Sequence, residues 1–401
     1  MRIGMMLDAY KPHISGVTNY VDANKKFLES YGHQVYVFTF GDDNFQDGEQ
    51  NVIRSPGLTL SSEEGFYLSL RYSRDAQKLL HSMDLIHVQH PFLSGRLAIR
   101  YTKGRGIPLV FTNHSRYDLY AKVYLPMLPG EISETILKAY MPSFCRSVDR
   151  VIAPSPGLRD VLLSLGVDVP VEVVPNGVDM TSVQAEYEPL DRSQFGFRDE
   201  DVVLIYLGRV APEKNMTFLL RSFAGVAESC PNARLLIVGD GSEFENIQII
   251  SKHMNLQEKV YLTGQVSYAE VPRFLHMADA FVTASVTEVH PLSVIEAMGA
   301  GLPVLGIVSP GVGDTVEDGV TGYLAKSEDM AIFTAKMMLL VSNDQKRRAM
   351  GEQAKIQSEQ YDIRRTSRLL EQQYQEVLSH TRPVRNSLRA RVLRVLDRWT
   401  G

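Results

Sequence analysis

Short apolar runs, each closed by a polar or glycine-containing stretch, recur along the chain and alternate with segments whose apolar residues return at helical spacing. In the first half Met1–Met6, Gln34–Phe40, Leu85–Val88, Leu109–Thr112, Val148–Ala153 and Val171–Val174 read as strands, and in the second half Val202–Leu207 and Phe281–Ser285 do. Strands separated by helical stretches predict βα units and parallel sheets. Met180 to Asp201 is polar without sustained periodicity, which sets a linker at residues 181–201 between a first domain, 1–180, and a second, 202–370. Ile363 to Leu378 reads as a closing helix, and residues 371–401 hold the return of the chain and a basic amphipathic helix.

Chemistry concentrates where strands end. Arg209-Val-Ala-Pro-Glu-Lys214 follows the strand Val202–Leu207 and precedes the amphipathic stretch Met216 to Glu228, so two cations sit at a strand-to-helix turn. That is the carboxyl edge of a parallel sheet, where ligands bind in this class of fold. The second strand end leads into Glu288-Val-His-Pro-Leu-Ser-Val-Ile-Glu296, two carboxylates with seven residues between them. Pro291 suits a first helical position, leaving the free amide groups of Leu292 and Ser293 to face an anion. In the first half, Ser15-Gly16 follows the opening strand and His114 follows Leu109–Thr112, at further ligand edges.

Taken in order, the opening strand with Ser15-Gly16-Val17, Val174-Pro-Asn-Gly-Val-Asp179, the Arg209/Lys214 loop, Val238-Gly-Asp-Gly241 and the spaced glutamates resemble the retaining glycosyltransferases of the GT-B type. That family includes phosphatidylinositol mannosyltransferases, sucrose synthases and diacylglycerol glucosyltransferases. The resemblance implies an α/β protein with two Rossmann-like domains facing across a cleft and a C-terminal helix crossing back. It also implies metal-independent hexosyl transfer by same-face substitution, in which the leaving phosphate takes the acceptor proton. On the same grounds Arg209 and Lys214 bind the donor diphosphate near Gly16, Glu288 holds the sugar hydroxyls, and Glu296 holds the ribose. Backbone around Gly264-Gln-Val266 meets the base, and His114 lies beside the donor sugar. Two departures stand out: Ser15-Gly16 replaces a common glycine pair, and Pro291, which has no N–H to donate, replaces a common glycine.

Composition fits a large globular enzyme of two or more domains: 401 residues, 44% hydrophobic and 22% charged. Nothing approaches the roughly 18 to 20 apolar residues that span a bilayer, and the N-terminus lacks the long apolar region of a signal peptide. A cytoplasmic location is therefore expected, with Cys145 and Cys230 as reduced, buried thiols. No cofactor or metal is expected, because the two cations already match a diphosphate. Asp199-Glu-Asp201 looks like a metal motif but precedes its strand, at the wrong edge, and reads as a solvated loop.

The net charge of −5 hides an uneven distribution, since residues 382–401 hold six arginines against one aspartate. There Val384, Leu388, Val392, Val395 and Trp399 fall at helical spacing among Arg389, Arg391 and Arg394. The tail reads either as an interfacial helix, arginines on lipid phosphate and Trp399 at the headgroups, or as a terminal helix packed on the first domain. A basic stretch from Arg96 to Arg116 carries no acid. Gly65 to Lys78 reads as a helix mixing aromatic, leucine and basic residues, and Tyr117 and Tyr120 lie in a segment similar to diacylglycerol glucosyltransferases. These features point to a lipid acceptor at an anionic membrane surface, peripheral on the inner face of the plasma membrane, and not to nucleic acid.

The leading expectation is transfer of glucose from UDP-glucose to diacylglycerol. Alternatives are a phosphatidylinositol or soluble acceptor with GDP-mannose or a UDP-sugar as donor, a nucleotide-sugar epimerase on the same fold, and a non-catalytic binding protein. Oligomeric state is not legible.

Overall fold

The computed structural model describes residues 1–42, 45–61, 66–119, 130–188 and 190–380. Two compact units divide the chain, one formed by Met1–Gly177 with Ile363 onward, the other by Val178–Asp362. Tyr120, Arg389, Arg391, Arg394 and Trp399 lie outside the described residues.

The first unit contains β1 (Arg2–Met6), α1 (Gly16–Ser30), β2 (Gln34–Phe40), β3 (Val52–Ser55), β4 (Leu58–Ser61), β5 (Phe66–Leu68), α2 (Arg74–Leu80), β6 (Leu85–Val88), α3 (Leu93–Thr102), β7 (Leu109–Thr112), α4 (Gly130–Cys145), β8 (Arg150–Ala153), α5 (Pro156–Ser164) and β9 (Val171–Val173). Seven of its strands form one sheet in the order β3-β2-β1-β6-β7-β8-β9, every pair parallel. The strand order reverses beside β1, so a crevice opens between the loops that leave β1 and β6.

The second unit contains α6 (Met180–Val183), β10 (Val202–Leu207), α7 (Met216–Ser229), β11 (Ala233–Val238), α8 (Phe244–His253), β12 (Val260–Leu262), α9 (Val271–Met277), β13 (Ala280–Val282), α10 (Leu292–Gly299), β14 (Val304–Ile307), α11 (Pro310–Thr315), β15 (Gly322–Ala325), α12 (Met330–Ser342) and α13 (Asp344–Ser358). Its six parallel strands run β12-β11-β10-β13-β14-β15. Helices cover both faces, which is why β10 is an unbroken apolar run. Leu204 and Tyr206 enter one core with Leu235, Ile237 and Val282, while Val203 and Ile205 enter the other with Leu236, Val238 and Phe281.

After Asp362 the chain returns to the first unit as α14 (Ile363–His380). Its Leu370, Tyr374 and Val377 pack with Tyr20, Val21 and Leu28 of α1 against Ile3, Met5, Val35 and Val37 of the sheet. The protein is thus a pair of α/β units built on parallel sheets, as the strand pattern predicts, and Rossmann-like, as the resemblance implies.

Three local expectations are corrected. Gly65 to Lys78 is not one helix: Phe66–Leu68 is a strand paired antiparallel with Leu58–Ser61, and helix begins only at Arg74. Asp201 is not solvated: it is 4% exposed and forms an ion pair with Arg234 at 3.1 Å. Cys145 is a buried free thiol, but Cys230 is only partly buried.

Candidate functional site

In the second unit β10 lies between β11 and β13, so the loops leaving β10 and β13 flank the point where strand order reverses. These are the loops of Arg209/Lys214 and of Glu288. After β10 the chain runs through Gly208, a three-residue turn at Pro212–Lys214 and the left-handed Asn215 into α7. Two glycines of the neighbouring loop hold it in place. A Cβ on Gly239 would lie 2.0 Å from the Gly208 carbonyl oxygen, and one on Gly241 would lie 2.4 Å from that of Val210. Val210 N–H donates to Asp240 O at 2.8 Å, so the two loops meet backbone to backbone.

The cations differ in setting. Arg209 is 63% exposed and pairs with Glu213 four residues on in the same loop, while Lys214 Nζ donates to Glu288 Oε1 at 2.6 Å in a pair 21% and 17% exposed. Burial pushes the Glu288 carboxyl up, but the Lys214 charge, hydrogen bonds from Lys214 and Ser285, and the Arg209 charge outweigh it and hold Glu288 below its ordinary value. Glu288 is an ionised acceptor. Its loop is pinned by Gly311, whose N–H donates to Glu288 O at 3.0 Å and whose Cβ would meet the Val289 carbonyl carbon at 2.2 Å.

Pro291 is the N-cap of α10, with extended backbone, and not its first helical residue. Its missing N–H therefore removes nothing from the first turn, where the amides of Leu292 and Ser293 belong. One turn on, Glu296 is 3% exposed and its Oε1 accepts the Tyr268 hydroxyl at 2.6 Å. Burial raises its carboxyl above the ordinary range, and Tyr268 only partly offsets that. Val266, half-buried, lies two residues before Tyr268. Arg209, Lys214, Glu288, Leu292, Ser293 and Glu296 are thus carried by the elements that meet at one edge of one sheet. Glu213 and Tyr268, partners of two of them, were not singled out from sequence. Glu213 lies in the same short loop as Arg209 and Lys214, whereas Tyr268 leaves no sequence signal.

In the first unit, Ser15 caps α1 by accepting from Thr18 N–H at 3.2 Å, and Gly16 opens the helix. Gly16 is not among the positive-φ glycines, and a Cβ there would meet nothing within 4 Å. Its backbone angles therefore do not demand glycine. What it leaves is open space.

His114 follows β7 and bonds through Nε2 to Gln89 Oε1 at 2.7 Å. The Gln89 amide nitrogen faces His87 O, so Oε1 accepts and His114 Nε2 carries the proton. Burial, with His90 and His87 close by, keeps the His114 pKa well below its ordinary value, so the ring is neutral. Tyr20 meets it edge-on, centroids 4.7 Å apart. His87 is a core residue, fully buried between the Tyr374 and Thr112 hydroxyls at 2.7 Å each. His90 Nδ1 accepts from Asp8 N–H at 3.2 Å. Tyr117, expected on the acceptor or membrane side, is 2% exposed with its ring 5.2 Å from that of Phe92, so it is an interior residue and presents no surface to a membrane. Among the described residues no group of three or more His, Cys, Asp or Glu side chains is arranged to hold a metal ion.

Comparison with known proteins fits this arrangement. Residues 14–182 match the Glycosyltransferase Family 4 and residues 188–357 match the Glycosyl transferases group 1. The alpha-monoglucosyldiacylglycerol synthase of Acholeplasma laidlawii is 30% identical over 347 residues, covering 82% of this chain and 86% of that protein. The chain is a GT-B glycosyltransferase. Another relative of this glycosyltransferase is the alpha-monoglucosyldiacylglycerol synthase of Streptococcus pneumoniae, 29% identical over 82% of this chain and 76% of that protein. The sucrose-phosphate synthase of Thermosynechococcus elongatus shares the fold with a TM-score of 0.79 at 20% identity, covering 94% of this chain and 99% of that one. Anabaena HepE, solved with UDP-glucose, shares it with a TM-score of 0.71 at 20% identity over 94% and 99% of the two chains.

Proposed function

We propose that this glycosyltransferase moves glucose from UDP-glucose to diacylglycerol, with retention at the anomeric carbon and without a metal. The reading is carried by the likeness, over most of both chains, to proteins named alpha-monoglucosyldiacylglycerol synthase. The chemistry of the second unit supports the donor half. Arg209 and Lys214 offset the charge that grows on the leaving diphosphate, and the first-turn amides of Leu292 and Ser293 add to them. Ionised Glu288 accepts sugar hydroxyls, Glu296 takes the ribose, and backbone near Val266 meets the base. The leaving phosphate takes the acceptor proton. Neutral His114, in the first unit, serves the donor sugar as a hydrogen-bonding group and not as an acid.

The acceptor half finds support in the surface of the first unit. Ile14, Phe45, Leu58, Leu70 and Leu119 are between 41% and 78% exposed, and Arg71, Arg74, Arg96, Arg100 and Lys103 are exposed as well. A surface that exposes both apolar side chains and cations suits the interface of an anionic bilayer. No described helix is long and apolar enough to cross a membrane. On the likeness to proteins named for a lipid product, we assign peripheral contact at the inner face.

The test is nucleotide release from a panel of UDP- and GDP-sugars by the full chain, with and without anionic liposomes containing diacylglycerol. Release of UDP from UDP-glucose that depends on diacylglycerol is expected. Release indifferent to lipid would overturn the acceptor, and turnover of the donor sugar without acceptor would favour epimerisation.

A further inference from the structure

Glu296 is a nearly buried carboxylate, and a buried carboxylate needs donors. Tyr268 is its only donor among the described residues, from a three-residue turn at Tyr268–Glu270 that is 28 positions away in sequence and largely open to solvent. Tyr268 as a whole is 51% exposed, yet its side chain reaches across to α10 and places its hydroxyl 2.6 Å from Oε1. Among the described residues only Oε1 of the carboxylate accepts a hydrogen bond, which leaves Oε2 for further hydroxyl donors.

A ribose presents two adjacent hydroxyls, both of which donate to a carboxylate only when it is ionised and aimed. Burial works against the ionised form of Glu296, and the Tyr268 hydroxyl works for it. We propose that Tyr268 is a positioning residue for the nucleotide: it stays on Oε1 when the nucleotide binds and presents Oε2 of Glu296 to the ribose diol. The inference rests on the assignment of Glu296 to the ribose. It makes Tyr268 a determinant of the preference for ribo- over deoxyribonucleotides, acting through Glu296 and touching neither the diphosphate nor the sugar.

The experiment is calorimetric binding by the full chain of UDP and of GDP, each compared with its 2′,3′-dideoxy counterpart, for the unmodified protein, Y268F and E296Q. Removing a hydrogen bond to a charged group weakens binding about tenfold. Y268F is therefore expected to lose about tenfold for the ribonucleotide and little for the dideoxynucleotide. The acid side of the binding profile should also shift to higher pH for the ribonucleotide alone. Equal losses for both nucleotides would make Tyr268 merely structural, and tighter ribonucleotide binding would make it a placeholder the ligand must displace; either overturns the proposal, as does no change. E296Q reports separately on the underlying assignment. If it weakens ribo- and dideoxynucleotides alike, Glu296 does not hold the ribose, whatever Y268F does.

Discussion

The loop that leaves β13 and the helix it feeds hold two enclosed carboxylates in opposite electrostatic settings. Glu288 meets an ammonium and stays ionised below its usual range, whereas Glu296, one turn into α10, meets a phenol and is pushed above it. Burial is common to both, so the partner decides the charge. The cation beside Glu288 outweighs the cost of burial, whereas the phenol beside Glu296 offsets only part of it.

The largest break in that comparison is loss of Lys214. K214A leaves Glu288 enclosed without its cation and is expected to lower stability by about 3 kcal/mol, measured by denaturant unfolding. It should also cut kcat/KM by roughly 10²- to 10³-fold, as expected for removal of a group that meets charge developing in the transition state. A K214M/E288Q double variant should recover most of the stability and none of the activity. R209A is the contrast: its pair with Glu213 is exposed on the arginine side, so stability should change by less than about 1 kcal/mol while activity falls comparably.

A sharper comparison sets E288Q against E296Q in thermal unfolding across pH. Glu288 is depressed in the folded chain, so its stabilising contribution is full above the unfolded value and is lost as pH falls through its folded value. Glu296 is raised, so its contribution is full below the unfolded value and is lost as pH rises through its folded value. Near neutral pH, E288Q should therefore destabilise the protein and E296Q should leave it equally stable or more so. Both substitutions losing the same stability would mean that the partners do not separate the two sites.

The smallest effect is expected at Gly16. The open space there and the absence of a left-handed backbone mean that G16A should fold without loss, and helix propensity favours it by up to about 1 kcal/mol. If a phosphate approaches that backbone, the same variant should raise the donor KM several-fold with kcat little changed. An unchanged KM would remove Gly16 from the donor site.

Much of this was legible because local pattern and global burial agree. Val202–Leu207 reads as a strand to the residue, since a parallel strand covered on both faces must be apolar throughout. Arg209, Lys214 and Glu288 could be singled out as residues, but the contact between Lys214 and Glu288, 74 positions apart, is a product of the fold. The same holds for Asp201, whose partner Arg234 lies on β11. Gly65 to Lys78 misled for a local reason: a short antiparallel pair and the start of a helix together give too few residues for either period to declare itself. Tyr268 shows no pattern at all, because an exposed aromatic residue in a polar turn has many ordinary explanations.

The return of α14 to the first unit has a consequence for biosynthesis. Residues 1–177 leave the ribosome first, yet their core also requires Leu370, Tyr374 and Val377, which arrive after the whole of the second unit. Of the two units, the one whose strands are made earlier is therefore completed later, while Val178–Asp362, one unbroken stretch, can close its own cores on the way.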